Sequence, residues 1–241
     1  MLCELLLAAT GLPASLMAKI SVPDTANIWG AGHAVSPATG GGGAGVLPTL
    51  VTISLGIDRT VVFSSVTGQV RHSGGSAPNR ADGVSTTAFP PSPVWGGLAG
   101  TDMATRVRYL PGVFVHDTEP SDPAPARMVF ADGAFEELSP GLCQIFYVGD
   151  GLTGTGTGTQ QTFHIPDAAT RLFLGFQDFY VTTPDLPGGY GDNSGAISLV
   201  TEFEGDVTGI DDDTMHLSRF VLNQNHPNSF NPKTRIEFAL D

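Results

Sequence analysis

Apolar residues along this chain fall in short runs, many of them alternating with polar residues, and clusters of Gly, Pro, Asn and Asp separate the runs. Alternation with a period of two is typical of half-buried strands, whereas no window of useful length carries the 3.6-residue apolar repeat of an amphipathic helix. The clearest runs are 49–72, 109–117 and 160–178. We therefore predict an all-β protein, a jelly-roll-like β-sandwich of about eight strands.

Three segments rich in small residues are predicted as loops. The glycine tract 39–48 is expected to be a flexible loop. Residues 73–102 form a long surface excursion, and loops of that length inside compact domains are often functional. The stretch 149–161 is rich in glycine but lacks the Lys and the Ser or Thr that complete a phosphate-binding P-loop, so it predicts a hairpin.

The length of 241 residues suits one globular domain of average to large size, or one domain with appendages. The first residues resemble a secretory signal, with an apolar stretch and a small residue, Ala18, at the expected cleavage site, although Glu4 departs from the usual pattern. The predicted division is a signal peptide at 1–18, a β-sandwich at 19–208, a linker at 209–219 and a separate terminal segment at 220–241.

Charge and cysteine content exclude several functional classes. The net charge of −13 argues against nucleic acid and against anionic membrane surfaces, which need clustered Lys and Arg. No apolar run reaches the ~20 residues of a membrane-spanning helix, so membrane insertion is not expected. Two cysteines provide no disulfide framework, and Cys143 is predicted to be a small buried hydrophobic residue.

An enzyme is not predicted. The six histidines show no spacing typical of a zinc site, and the chain has no GxSxG nucleophile motif. The sequence also places no carboxylic acid in an apolar pocket where it could act as a general acid.

Acidic and amide side chains gather at one strand junction. Asp178 ends an apolar run, and the stretch "GGYGDNSG" supplies Asp192 and Asn193 with glycines on both sides. Carboxylate, carboxamide and backbone carbonyl oxygens are the ligands that calcium prefers, and glycine allows the backbone to turn its carbonyls inward. These are also ordinary turn residues, so an acidic turn without an ion is the alternative.

The stretch 186–200, "LPGGYGDNSGAISLV", follows an apolar strand that ends in Asp and resembles the calcium loop of the PA-IL-like galactose-binding lectins. The resemblance covers roughly residues 20–207, is strongest at 171–200, and extends more weakly to 60–72 and 138–151. It implies a small β-sandwich in which one calcium ion bridges the protein and sugar hydroxyls.

The resemblance also implies roles for particular residues. Asp178 would bind calcium and contact the sugar, while Asp192 and Asn193 would be paired side-chain ligands. Gly189 and His72 would contribute backbone carbonyls to the ion. Sugar contacts are implied for Asp178, Gly189 and Asp192.

This chain departs from the lectin pattern in the calcium loop and in the residues that select the sugar. The segment between Asp178 and Asp192 is longer, so Asp185 could take the ligand role of Asp178, and Asp192 stands where the lectin has Asn. The excursion 73–102 has no match to the His and Gln that select galactose, so the sugar is left open. Trp95 in that excursion could stack on a sugar face or belong to the core.

The stretch 222–240, "LNQNHPNSFNPKTRIEFAL", resembles the start of the C-terminal secretion and sorting domain of some Gram-negative bacteria, here expected as a truncated start. A plain linker is the alternative. The resemblance implies a location outside the cytoplasm, secreted or at the cell surface.

These observations together predict a secreted, calcium-dependent carbohydrate-binding module for a galactose-type or other glycan. The alternative is a structural or adhesive cell-surface β-sandwich whose calcium only stabilises the loop. A homo-oligomer is left open in either case.

Overall fold

The structure is a computed structural model that describes residues 14–37, 40–53, 59–179 and 186–205. All of these residues belong to a unit that ends at Val207, and the second unit, Thr208–Asp241, lies outside the described residues. The predicted linker and terminal segment therefore also lie outside them, as do residues 1–13 of the predicted signal peptide. Residues 14–18 belong to the first strand.

Among the described residues, 45% lie in strands and only 3% in helices, which confirms the predicted all-β sandwich. The prediction of about eight strands was wrong, because loops contribute many strands of two or three residues. The described strands are β1 (Ala14–Pro23), β2 (Thr49–Thr52), β3 (Thr60–Arg71), β4 (Val84–Ser85), β5 (Val94–Trp95), β6 (Leu98–Ala99), β7 (Thr101–Asp102), β8 (Arg106–Val107), β9 (Pro111–Val115), β10 (Met128–Val129), β11 (Glu137–Leu138), β12 (Ile145–Tyr147), β13 (Leu152–Gly154), β14 (Thr157–Gln160), β15 (Thr162–His164), β16 (Arg171–Leu174) and β17 (Ser194–Gly205).

Two larger sheets form the sandwich. One has the strand order β1-β17-β3-β15-β11, and the other has the order β12-β9-β16-β2. The long strands β1, β17 and β3 are antiparallel neighbours. Short helical turns occur at Ile28–Gly30 and Tyr190–Asp192. No helix in the described part of the chain is long and apolar enough to cross a membrane.

The main core lies where alternate residues of the two sheets meet. On β17 the buried side chains include Ile197, Leu199 and Phe203, spaced as the period of two requires. On β9 Phe114 faces this core, whereas Val113 and Val115 face a second cluster that includes Trp29. The four-stranded sheet is thus covered on both faces, which explains why β9 is an unbroken apolar run.

The predicted loops are more structured than their composition suggested. Strands β13 and β14 form an antiparallel pair within 149–161, which confirms the predicted hairpin. The excursion 73–102 contains β4, β5, β6 and β7, and it sends the fully buried Leu98 and Ala99 into the protein. Cys143 is only half-buried, against the second core cluster.

Candidate functional site

Three strand ends of the five-stranded sheet bring polar residues to one end of the sandwich. Asp24 directly follows β1, His72 directly follows β3, and Asn193 directly precedes β17. Because β1 and β3 both pair antiparallel with β17, the ends of the first two strands lie beside the start of the third. The Asn193 carboxamide nitrogen donates a hydrogen bond to the Asp24 carbonyl, 3.2 Å away.

Asp178 reaches this cluster from the other sheet, shortly after β16. Its position is fixed by the buried Tyr190, whose hydroxyl accepts a hydrogen bond from the Asp178 backbone N–H at 3.0 Å and donates one to the Phe176 carbonyl at 2.7 Å. The Gly188 N–H also donates to the Asp178 carbonyl at 3.1 Å. The loop before β17 therefore sets where the Asp178 carboxylate lies.

The glycine tract that we predicted as a flexible loop packs along this same loop, backbone against backbone. The N–H groups of Gly189 and Gly191 donate to the carbonyls of Gly41 and Gly42, at 3.0 and 2.8 Å. A Cβ on Gly188 would lie 2.4 Å from the Gly41 oxygen. Such close approach is possible only for glycine, so the tract supports the candidate site.

Several buried oxygens of the cluster accept no hydrogen bond of regular geometry from any described residue. They are both carboxylate oxygens of Asp24, Oδ2 of Asp178 and Oδ1 of Asn193. Asp24 is fully buried and Asn193 is 8% exposed. Buried polar atoms without a partner are costly and rare in folded proteins, and they commonly mark the position of an ion or water.

The charge of Asp178 disfavours ionisation of the fully buried Asp24. Burial, and next the charge of Asp178, raise the pKa of Asp24 to about 7, although the nearby backbone N–H groups of Arg71 and Ser194 partly oppose the shift. Burial also raises the pKa of Asp178 to about 6, and the charge of Asp192 adds to this while Asn193 opposes it. Both shifts reflect the cost of placing negative charge here without a cation.

The His72 side chain lies within the cluster but brings no positive charge. Its Nδ1 atom is 3.1 Å from Oδ1 of Asp24, in an orientation that does not make a regular hydrogen bond. The ring packs edge-on against Phe176 at 5.3 Å. Burial, and secondly the positive charge of Arg108, lower the pKa of His72 to about 4, so the imidazole is neutral near pH 7.

Of the other predicted site residues, the structure describes Asp192 and Gly189 but not Asp185. Asp192 is exposed, and its Oδ2 accepts a hydrogen bond from the Gly74 N–H at 3.3 Å. Gly189 has a φ of +99°, and a Cβ there would lie 3.0 Å from Oδ1 of Asp178, so the glycine backbone packs against that carboxylate. Asp185, the alternative to Asp178, lies outside the described residues.

Sequence reasoning missed two residues of this site, Asp24 and Tyr190. Asp24 is a lone acid at the end of an apolar strand, and Asp178 stands in almost the same position after its own strand. This similarity is the sequence signal by which Asp24 could have been identified. Tyr190 lies inside the predicted calcium loop, and its buried position makes it an anchor for that loop.

A cavity of about 380 Å³ opens beside the cluster. Asp178 and His72 belong to the cluster and also line the cavity. Its walls include Phe89 from the long excursion, together with Phe179 and Arg108. This volume falls within the usual range of small-molecule sites, about 300–1,000 Å³. Trp95 packs edge-on against His33 at 5.2 Å and is not part of the cavity lining.

The cavity lining also includes a fixed polar group, the carboxamide of Gln177. Its Oε1 accepts hydrogen bonds from the hydroxyls of Thr101 and Tyr109, at 3.0 and 3.2 Å, and its Nε2 donates to Ser92 at 2.9 Å. Since a carboxamide nitrogen carries two protons, one remains for a ligand.

A second cavity of about 510 Å³ is lined by Asp82 and Asp150. These carboxylates are already used within the protein. Oδ1 of Asp82 accepts from the Tyr147 hydroxyl at 2.8 Å and from the Asp150 N–H at 3.1 Å. The Asp150 carboxylate accepts from two backbone N–H groups of the following hairpin. These two carboxylates therefore stabilise loops, whereas the Asp24 carboxylate makes no regular hydrogen bond with a described residue.

Within the described ranges, no three His, Cys, Asp or Glu side chains come together as a metal-binding group on their own. A cation held at the cluster would therefore also need the Asn193 carboxamide and backbone carbonyls, which are ordinary calcium ligands. Comparisons of the chain with protein-family models, curated proteins and solved structures found no match. The role of the site is therefore inferred from its own side chains.

Proposed function

We propose that this protein is a calcium-dependent carbohydrate-binding module. Asp24, Asp178 and Asn193 would hold the ion through side-chain oxygens, with backbone carbonyls at His72 and Gly189, and the exposed Asp192 would complete the set by turning towards the ion. The observation that carries the proposal is the set of buried oxygens of Asp24, Asp178 and Asn193 that lack hydrogen-bond partners among the described residues.

The donor set fits calcium in type and in charge. All the proposed side-chain donors are carboxylate or carboxamide oxygens, which hard cations prefer over nitrogen or sulfur donors. Burial raises the pKa of both Asp24 and Asp178, and the negative charge of a neighbouring aspartate adds to each shift, Asp178 at Asp24 and Asp192 at Asp178. A divalent cation at the cluster would remove that repulsion. The neutral imidazole of His72 leaves this compensation to an external ion.

Sugar binding is proposed because the cluster and the cavity share Asp178. When bound, calcium would offer coordination positions that two sugar hydroxyls can fill. The Asp178 carboxylate would accept hydrogen bonds from the same hydroxyls, and such charge-assisted bonds are the stronger class. Gln177 would donate to a further oxygen, while Phe89 and Phe179, whose ring centroids are 5.7 Å apart, provide an apolar wall for a sugar face.

The proposed setting is outside the cell, secreted or at its surface, and it is supported by the signal-like first residues and the sorting-domain-like stretch 222–240. Single sugars bind such sites weakly, and useful affinity would come from multivalency.

A purely structural cation site is the second candidate, and the full burial of Asp24 favours it. An ion coordinated mainly by Asp24 would be closed to the cavity. It would then stabilise the junction of β1, β3 and β17 without contacting a ligand. This version corresponds to an adhesive or structural surface domain.

Calorimetric titration of galactose into the full chain, with calcium and then with a chelator, tests the proposal. We expect weak binding that requires calcium. A rise in melting temperature with calcium, without any sugar binding across a panel of monosaccharides, would instead establish the structural site.

A further inference from the structure

Arg108 is half-buried and lines the cavity beside the cluster of Asp24, His72, Asp178 and Asn193. Its backbone has a φ of +59°, in the left-handed region that residues other than glycine rarely adopt. The Arg108 carbonyl accepts a hydrogen bond from the Asn79 carboxamide at 2.9 Å, which helps to hold this conformation. The chain is thus bent at the position where Arg108 joins the cavity wall.

The Arg108 guanidinium makes no hydrogen bond or ion pair with any residue that the structure describes. Neighbouring arginines differ. Arg106 donates to the Asp82 carbonyl at 3.2 Å and to the Thr155 hydroxyl at 3.1 Å. Arg127 donates to the Ser92 carbonyl at 2.8 Å. A planar group with five donors is therefore left unused in a ligand-sized cavity.

The Arg108 guanidinium lies close enough to Asp24, His72 and Asp178 to shift their pKa values. It nevertheless lies beyond ion-pair distance of both carboxylates. The cavity therefore has a positive group, Arg108, in addition to the proposed cation at the cluster. A neutral sugar would interact with the proposed cation but would not pair with the charge of Arg108.

We infer that the ligand of this cavity is an acidic sugar, a uronic acid whose carboxylate pairs with Arg108 while its hydroxyls face the cation cluster. This inference rests on the proposed carbohydrate-binding function and specifies its substrate class. The arginine fork matches a carboxylate with two parallel hydrogen bonds, which is a stronger and more specific contact than a hydroxyl offers.

The test is calorimetric titration of galacturonate and galactose into the full chain with calcium, each corrected by titration into the same buffer without protein. We expect galacturonate to bind roughly tenfold to hundredfold more tightly than galactose. Arg108→Gln should reduce this preference to near unity, and Arg108→Lys should retain part of it. Arg80→Gln, which removes the same charge from an exposed arginine outside this cavity, should leave the preference unchanged.

The outcomes separate this inference from the proposed function. Equal binding of the two sugars, or a preference that survives Arg108→Gln, would overturn the inference while calcium-dependent binding of galactose would still support the module. Binding of neither sugar would overturn both. A galacturonate preference that depends on Arg108 but persists in chelator would support the inference and reject the role of calcium. If Arg108→Gln changed only calcium affinity, Arg108 would be a counter-ion of the cluster, and the inference would fail.

Discussion

The imidazole Nδ1 of His72 and the carboxylate Oδ1 of Asp24 lie 3.1 Å apart, and the two side chains are 3% and 0% exposed. Two such groups at this distance would normally share a proton in a hydrogen bond or form an ion pair. Here the His72 pKa is lowered to about 4 and the Asp24 pKa is raised to about 7. His72 is therefore neutral near pH 7 and offers no positive charge to Asp24, and this is the physical basis of the proposed cation site.

Asp24→Asn should weaken calcium binding at least tenfold, because it removes one of the carboxylates that would contact the ion. Without calcium the same variant should be as stable as the wild type or more stable, because it removes a fully buried carboxylate that is costly to ionise. Calcium titration and denaturant unfolding in chelator measure the two effects. Asp82→Asn is the matched control, since Asp82 is equally buried but hydrogen-bonded. It should leave calcium affinity unchanged, and a similar loss there would reject the assignment of Asp24.

The calcium-free protein should lose stability as pH rises from about 4 to about 7. Asp24 and Asp178 have folded-state pKa values raised to about 7 and about 6, above the unfolded value of 3.8. In this window the folded state holds more protons at these two carboxylates but fewer at His72, whose pKa is lowered from 6.5 to about 4. Two falling contributions and one rising contribution leave the free energy of unfolding falling by on the order of 1.4 kcal/mol per pH unit in total. Urea unfolding in chelator across this range measures the slope. Asp24→Asn should flatten it, and an equally steep slope in that variant would show that other groups are responsible.

Tyr190→Phe should lower the free energy of unfolding by about 1–3 kcal/mol, because the Phe176 carbonyl and the Asp178 N–H lose their buried partner. It should also weaken calcium binding, since the hydroxyl positions Asp178. Tyr147→Phe is the control, because its buried hydroxyl bonds Asp82 at 2.8 Å, outside the site. That variant should lose comparable stability and keep its calcium affinity. Equal calcium affinities in both variants would show that Tyr190 has only a structural role.

Gly188→Ala should displace the loop before β17 from the glycine tract, because the added Cβ would lie 2.4 Å from the Gly41 oxygen. A clash with backbone cannot be relieved by a rotamer change, and about 1–3 kcal/mol of stability should be lost. Calcium affinity should fall as well. Gly75→Ala, where nothing lies within 4 Å of the new Cβ, should change neither quantity. Thermal unfolding with and without calcium compares the two variants, and unchanged calcium affinity in Gly188→Ala would mean that the tract does not support the site.

The parts of the site that sequence could predict are those encoded locally. Asp178, Asp192 and Asn193 carry oxygen donors around a glycine-rich loop, and this pattern is visible in a single stretch. Asp24 is far away in the chain and enters only because β1 pairs with β17. No periodicity along one strand reveals such a register between distant strands.

The same distinction applies to the fold. Long alternating strands such as β17 are predictable from their period of two, and the all-β class follows from them. Two-residue strands such as β4 and β8 are too short to show a period, and they arise because the excursion 73–102 folds back on the protein. The left-handed backbone of Arg108 and the cavity that it lines depend on these contacts, so neither could be predicted.

The most direct test of the cation site is the number of protons released when calcium binds to the chelator-treated full chain at pH 6.5. It is obtained by calorimetry in two buffers of different ionisation enthalpy. Because the Asp24 pKa is raised to about 7 without the ion, calcium binding should displace a proton, and Asp24→Asn should reduce that release. Absence of calcium binding, or binding without proton release, would contradict a cation held by the carboxylates of Asp24 and Asp178.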